Sequence, residues 1–232
     1  MPFNVVIATP STGQCKSVFA FSLARLVAYF AQVRVLPEVA EQSLDFLMLE
    51  GSGISSNRER LTNMALEKPG MTHLLWIDED MGFNLDVLHI MARRRQPIVG
   101  SNYRMRMPPA EFVAVSKDLK SRIQTTAESS GLEEASYTGF GFCLVERKVI
   151  EALPKPHYLV RYSANADSYT TEDHPFFQAA AEAGFPCFVD HDVSKRIWHQ
   201  GNMNYMWDED YSQLSKGFVK PTDSPQESTD GK

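Results

Sequence analysis

The sequence predicts an α/β protein built on a mostly parallel sheet flanked by helices, with a smaller antiparallel portion in its second half. Two patterns predict it. Through the first hundred residues, short apolar runs alternate with segments of helical periodicity; buried parallel strands joined by crossover helices look like this. From about residue 111 onward, strand-like runs follow one another without a full helix between them, so these strands pair antiparallel or lie at a sheet edge.

The elements follow in order. Asn4-Val-Val-Ile-Ala8 is an apolar run closed by Thr9-Pro10-Ser11-Thr12-Gly13, a buried strand entering a loop. Over 17–31, Phe19, Leu23, Leu26, Val27 and Phe30 recur at helical spacing. A second strand falls at 34–38 or 45–50. Ser55-Ser56-Asn57 reads as a helix cap before Leu61, Met64 and Ala65, and Pro69-Gly70 stops that helix. The clearest buried strand, 72–77, precedes a helix over 84–94 and a strand over 97–101. Strands over 111–115 and 136–145, a short helix over 147–153 and a long loop over 154–170 come next. A helix over 172–183 is stopped by Gly184, and a strand over 186–190 follows. The reading gives one domain over 1–218 and a polar tail, 219–232, that lacks apolar periodicity.

Composition excludes several classes. The chain has 232 residues, with 23 Lys+Arg against 29 Asp+Glu and a net charge of −6. No clustered basic surface is expected, and therefore no nucleic-acid partner. Three cysteines, Cys15, Cys143 and Cys187, form no CxxC pair, which suits a reducing compartment. The most apolar stretch, 18–35, is interrupted by Arg25 and Arg34, whereas a spanning helix needs roughly 20 apolar residues. No integral membrane segment is expected, and the location predicted is cytoplasmic.

The chemistry concentrates at strand ends. Gly13-Gln-Cys-Lys16-Ser17 lies between a strand and a helix, but Cys15 stands where a phosphate loop needs glycine before its lysine. What remains is a turn at the sheet edge where open α/β sheets bind ligands. Asp78-Glu79-Asp80 closes the strand over 72–77. Two such charges 4 Å apart repel by about 4 kcal/mol at an effective dielectric near 20, so a bound cation or solvent must relieve them. Asp78 and Asp80 can converge on an extended chain while Glu79 points away, and oxygen ligands suit Mg²⁺ or Mn²⁺ sharing substrate phosphates. Glu172-Asp173 after two threonines opens a helix, as ordinary capping would. His191 between two aspartates is explained by local ion pairing, Arg93-Arg94-Arg95 by the solvated end of a helix, and Cys143 by an apolar run.

In order and context, these features resemble a nucleotide-sugar glycosyltransferase of the GT-A fold, family-2-like, over 4–201. The segments that carry the resemblance are the strand into Thr9-Pro10-Ser11-Thr12-Gly13, Ser56-Asn57-Arg58 and Leu74-Leu75-Trp76-Ile77-Asp78-Glu79-Asp80. Thr138-Gly139-Phe140-Gly141-Phe142, Glu172-Asp173-His174-Pro175 and Trp198-His199-Gln200-Gly201 complete the series. The resemblance implies a donor site of Thr9, Pro10 and Thr12, with Asn57 or Arg58 near base or phosphate, and with Asp78 and Glu79. It implies a divalent ion on Asp78, Asp80 and His199. Asp173 becomes the base that takes the acceptor's proton, with inversion, and Glu172 orients the acceptor. Gly139 and Gly141 let the chain pass close to both substrates. The acceptor would be a glycan, a lipid-linked group or a protein, met on a side including Tyr103, Arg104, Arg106 and Tyr162. Two alternatives stand beside this reading: a silent binding module of the same fold, and a metal-dependent phosphohydrolase or nucleotidyltransferase.

Overall fold

The computed structural model describes residues 2–106, 109–164, 167–201 and 203–211; the tail expected over 219–232 lies outside them. The order of elements is β1 (Phe3–Ser11), α1 (Ser17–Gln32), β2 (Gln42–Glu50), α2 (Ile54–Leu66), β3 (His73–Ile77), β4 (Met81–Phe83), α3 (Val87–Arg94) and β5 (Ile98–Gly100). Then come β6 (Val115–Ser116), β7 (Leu132–Tyr137), β8 (Phe142–Glu146), α4 (Arg147–Ala152), β9 (Tyr162–Ser163), β10 (Ser168–Tyr169), α5 (Asp173–Glu182), β11 (Cys187–Asp190), α6 (His191–Ser194), β12 (Ile197–Gln200) and β13 (Asn204–Tyr205).

Eight strands form the main sheet in the order β2-β1-β3-β8-β5-β11-β7-β6. β1 pairs parallel with β2 and β3, and β5 with β11, while β8 and β7 run against their neighbours. The α/β expectation therefore holds, and the antiparallel strands come from the second half of the chain. β8 is not at an edge, however. It lies between β3 and β5.

Period-two alternation builds the core on both faces of the sheet. Val5, Ile7, Leu75, Ile77, Phe142 and Leu144 meet Phe19, Leu26 and Phe30 of α1 and Val87, Leu88 and Met91 of α3. Val6, Ala8, Leu74, Trp76, Cys143 and Val145 meet Leu61 of α2, Val149 and Ile150 of α4, and Phe176 and Phe177 of α5. β2 alternates between half-buried and exposed residues, as an edge strand does; the second strand thus falls over the later of the two expected segments.

Four expectations need correction. The run over 136–145 is two strands, because Phe140 leaves the ladder to pack against Trp76, Tyr158, Phe176 and Phe177. The strand expected over 111–115 is reduced to β6 and a single bridge between Phe112 and Arg104. The chain after Asp80 enters β4 before α3, and β4 pairs with β12, which pairs with β13 in a small antiparallel sheet. The segment expected as loop over 154–170 carries the hairpin β9–β10.

Candidate active site

A cleft of about 420 Å³ opens where β1, β3 and α2 begin or end. Pro10, Ser11, Thr12, Gln14 and Lys16 line it from the first loop, and Gly51, Ser52, Ile54 and Asn57 from the entry to α2. Asp78, Glu79, Asp80 and Arg106 complete it. It stands at the carboxyl ends of parallel strands, as ligand sites in open sheets do.

The three consecutive acids point three ways. Asp78 Oδ1 accepts a hydrogen bond from Arg58 Nη2 at 2.9 Å. Glu79 is engaged by the first loop: Ser11 Oγ donates at 2.6 Å, Thr12 N at 2.8 Å and Thr12 Oγ1 at 2.6 Å. It does turn away from Asp80, and its carboxylate secures the loop. Asp80 is buried, and its Oδ2 receives Arg106 Nη1 and lies 3.1 Å from His199 Nε2. Burial pushes the Asp80 carboxyl up, but the His199 hydrogen bond and the charges of His199 and Arg106 outweigh it, leaving it below its ordinary value. The mutual repulsion expected of the three acids is relieved by separate partners.

His199 is held from both sides. Its Nδ1 lies 3.1 Å from the Arg104 carbonyl, and its ring meets Tyr103 edge-on. A carbonyl only accepts, so Nδ1 carries the proton of that bond. A neutral ring then aims a lone pair from Nε2 at the Asp80 carboxylate, and two acceptors 3.1 Å apart require a positive charge, either a proton or a cation. Two adjacent ligands on an octahedral ion with bonds of about 2.1 Å stand about 3 Å apart, so the pair suits a small divalent ion. Among the described residues no three His, Cys, Asp or Glu side chains form a ready-made ion site, and Asp78 is committed to Arg58.

Arg58 ties the cleft to α5. It is buried, with its Nε donating to Glu172 Oε1 at 2.9 Å and its guanidinium over the rings of Trp76 and Phe140. Burial opposes its charge, yet the Asp78 and Glu172 carboxylates raise its pKa further. Asp173, next in the chain, accepts at Oδ1 from the Thr171 hydroxyl and, at 2.9 Å, from His174 N. Its carboxyl is raised, mainly by burial and also by the charge of Glu172, although the Thr171 and His174 bonds and Arg58 oppose the shift. Asn57 donates to the Gly51 carbonyl at 3.0 Å from the other side of α2.

Other expected residues are used differently. Thr9 is fully buried, so it does not line the cleft. Tyr103 is buried beneath the chain over 139–141: a Cβ on Gly139 or Gly141 would overlap its hydroxyl, which accepts from Gly141 N at 3.0 Å. Those glycines therefore make room for Tyr103. Arg104 lies 4.0 Å from the Phe112 ring centroid and donates to the carbonyls of Ala110, Trp207 and Glu209, tethering the last described segment. Tyr162 is exposed on the β9–β10 hairpin against Tyr169. Arg94 pairs with Asp190 and Asp192, so it is no solvated helix end, and His191 pairs with Glu133 and Thr125 instead of its neighbours. Lys16 and Arg106 are cleft cations that motif spacing did not assign there; Arg106 reaches Asp80 only because β12 and the chain over 101–106 converge.

No protein-family model and no curated protein sequence matches the chain. Among solved structures, A197 from STIV is similar with a TM-score of 0.57 and 18% identity over 86% of each chain. TarS 1–349 of S. aureus, in complex with UDP-GlcNAc, gives 0.47 and 14% identity over 95% of this chain and 62% of that one. A nucleoside-diphosphate-sugar pyrophosphorylase from Vibrio cholerae gives 0.46 and 12% identity, covering 80% and 91%. At such identities a likeness speaks of fold alone, and the last two are too loose to argue from; the chain shares its fold with A197.

Proposed function

We propose that the chain is a nucleotide-sugar-dependent glycosyltransferase that moves a sugar to an acceptor hydroxyl with a divalent ion, Mn²⁺ or Mg²⁺, and inverts the sugar. The observation that carries the reading is the approach of His199 Nε2 to Asp80 Oδ2, 3.1 Å, beside a polar cleft. Asp80 and His199 would hold the ion, with substrate phosphates supplying further ligands. Bound there, the ion offers Lewis-acid stabilisation of the charge on a departing nucleoside diphosphate.

The chain's own residues divide the remaining work. The first loop, fixed by Glu79, and Asn57, fixed to Gly51, shape the wall against which a nucleoside would lie. Asp78 is oriented by Arg58, placed to accept a hydrogen bond from a ribose hydroxyl. Asp173, half-buried and raised, suits the acceptance of a proton from the acceptor hydroxyl as it attacks, and Glu172 is held by the same Arg58 that holds Asp78. A positioned base of this kind contributes about 10²–10⁴-fold, and attack opposite the leaving group inverts the centre.

A thermal-shift screen of nucleotide sugars with and without Mn²⁺ tests the reading, because a ligand selective for the native state raises its stability. Asp80→Ala is expected to remove the metal-dependent shift. Asp173→Asn is expected to keep the shift and lose transfer by at least about 10²-fold; transfer at the wild-type rate would remove Asp173 from the base role.

A further inference from the structure

Asp80 has two partners where the proposed reaction leaves room for one. Arg106 Nη1 and His199 Nε2 meet the same oxygen, Oδ2. The two partners differ in how they are held. His199 is fixed by the Arg104 carbonyl, the Tyr103 ring and the β12 ladder, and is largely buried. The Arg106 side chain is 56% exposed, lines the cleft, and touches Asp80 through one nitrogen, not the two-pronged fork of a firm arginine–carboxylate pair. Its other nitrogens find no acceptor among the described residues. Gly201 gives it space: a Cβ there would stand 3.2 Å from Arg106 Cβ.

We infer that Arg106 is an exchangeable counter-cation. It neutralises Asp80 in the empty cleft, yields that oxygen to the divalent ion, and turns its guanidinium onto the diphosphate of the donor. The inference rests on the nucleotide-sugar reading of the cleft. It follows from charge: a guanidinium and a divalent ion repel one another on a single carboxylate oxygen, whereas a diphosphate supplies several oxygens to share between them. A mostly exposed side chain moves at little cost, and planar guanidinium groups match phosphate oxygens. Lys16, also on the cleft wall and without an acidic partner among the described residues, leaves a second cation for the same diphosphate.

Calorimetric titration of the full chain with Mn²⁺ alone, and with inorganic pyrophosphate alone in the presence of a chelator, tests this in wild type and in Arg106→Gln. The variant should bind Mn²⁺ about two- to fivefold more tightly, since it loses an exposed competitor, and pyrophosphate about tenfold more weakly. Arg106→Lys should keep most of the pyrophosphate affinity. Unchanged or weaker Mn²⁺ binding in Arg106→Gln, with wild type binding Mn²⁺ normally, overturns the exchange alone. Failure of wild type to bind Mn²⁺ at millimolar concentration overturns the metal-dependent reading and the exchange with it.

Discussion

Arg58 shows how a single buried side chain can tie together two acids from distant parts of the chain. Its guanidinium spans from Asp78, at the end of β3, to Glu172, at the start of α5, and lies over Trp76 and Phe140. Replacing it by methionine keeps most of the volume but strands the nearly buried Glu172 and the partly exposed Asp78. Removing one member of a buried pair costs about 3–5 kcal/mol, and Asp78's partial exposure argues for the lower end, about 3 kcal/mol in urea unfolding. A loss under about 1 kcal/mol would show that the link is not structural. Tyr103 makes a smaller prediction. Burial raises its pKa, so the hydroxyl stays neutral, and Gly141 N depends on it. Tyr103→Phe should cost about 1–3 kcal/mol, the usual penalty for an unpaired buried amide, as read from the denaturation midpoint.

At the scale of elements, the short strand β12 decides whether His199 meets Asp80 at all. Trp198 of β12 lies opposite Gly82 of β4, and a Cβ on Gly82 would overlap its indole ring. Gly82→Ala is expected to force β12 outward, lowering stability by about 1–3 kcal/mol and weakening Mn²⁺ binding, because His199 travels with the strand. Preserved Mn²⁺ affinity in a destabilised Gly82→Ala protein would separate the strand from the site. The sequence contains the Trp198-His199 pair but nothing local says that it forms a ladder with Met81-Gly82-Phe83. That pairing spans more than a hundred residues. Likewise Phe140 interrupts an apolar run that reads as one strand, because the vacancy it fills is created by α5 and by Tyr158.

Over the whole molecule, acid stability carries the mark of His73 at the start of β3. Burial depresses it to about 4 from 6.5, with the nearby Lys148 adding to the shift and Glu146 opposing it. The sign follows from proton counting. Above pH 6.5 the ring is neutral folded and unfolded. Between 6.5 and 4 the unfolded chain takes a proton that the folded chain refuses, so stability falls as pH falls, by about 2 kcal/mol from pH 7 to pH 5. His89, also lowered by burial, acts in the same direction, and the raised Asp173 opposes it near its own titration. His73→Phe, beside the Phe3 ring, should flatten the slope between pH 7 and 5; an unaltered slope would place the proton uptake elsewhere.

Local chain chemistry made the parallel half legible. The strands β1 and β3 are apolar because both faces are covered, the crossover helices show a 3.6-residue stripe, and Gly184 takes the positive φ of 85° that ends α5. The acids after β3 were also readable, since carboxylates at the end of a buried strand stand out in a sequence; Asp173 and His199 were readable only through the family resemblance. Their partners were not. Whether Asp80 faces His199, Arg58 bridges two acids, or Gly139 shelters Tyr103 depends on which distant segments fold against them, and those contacts are set by long-range packing that leaves no periodicity along the chain.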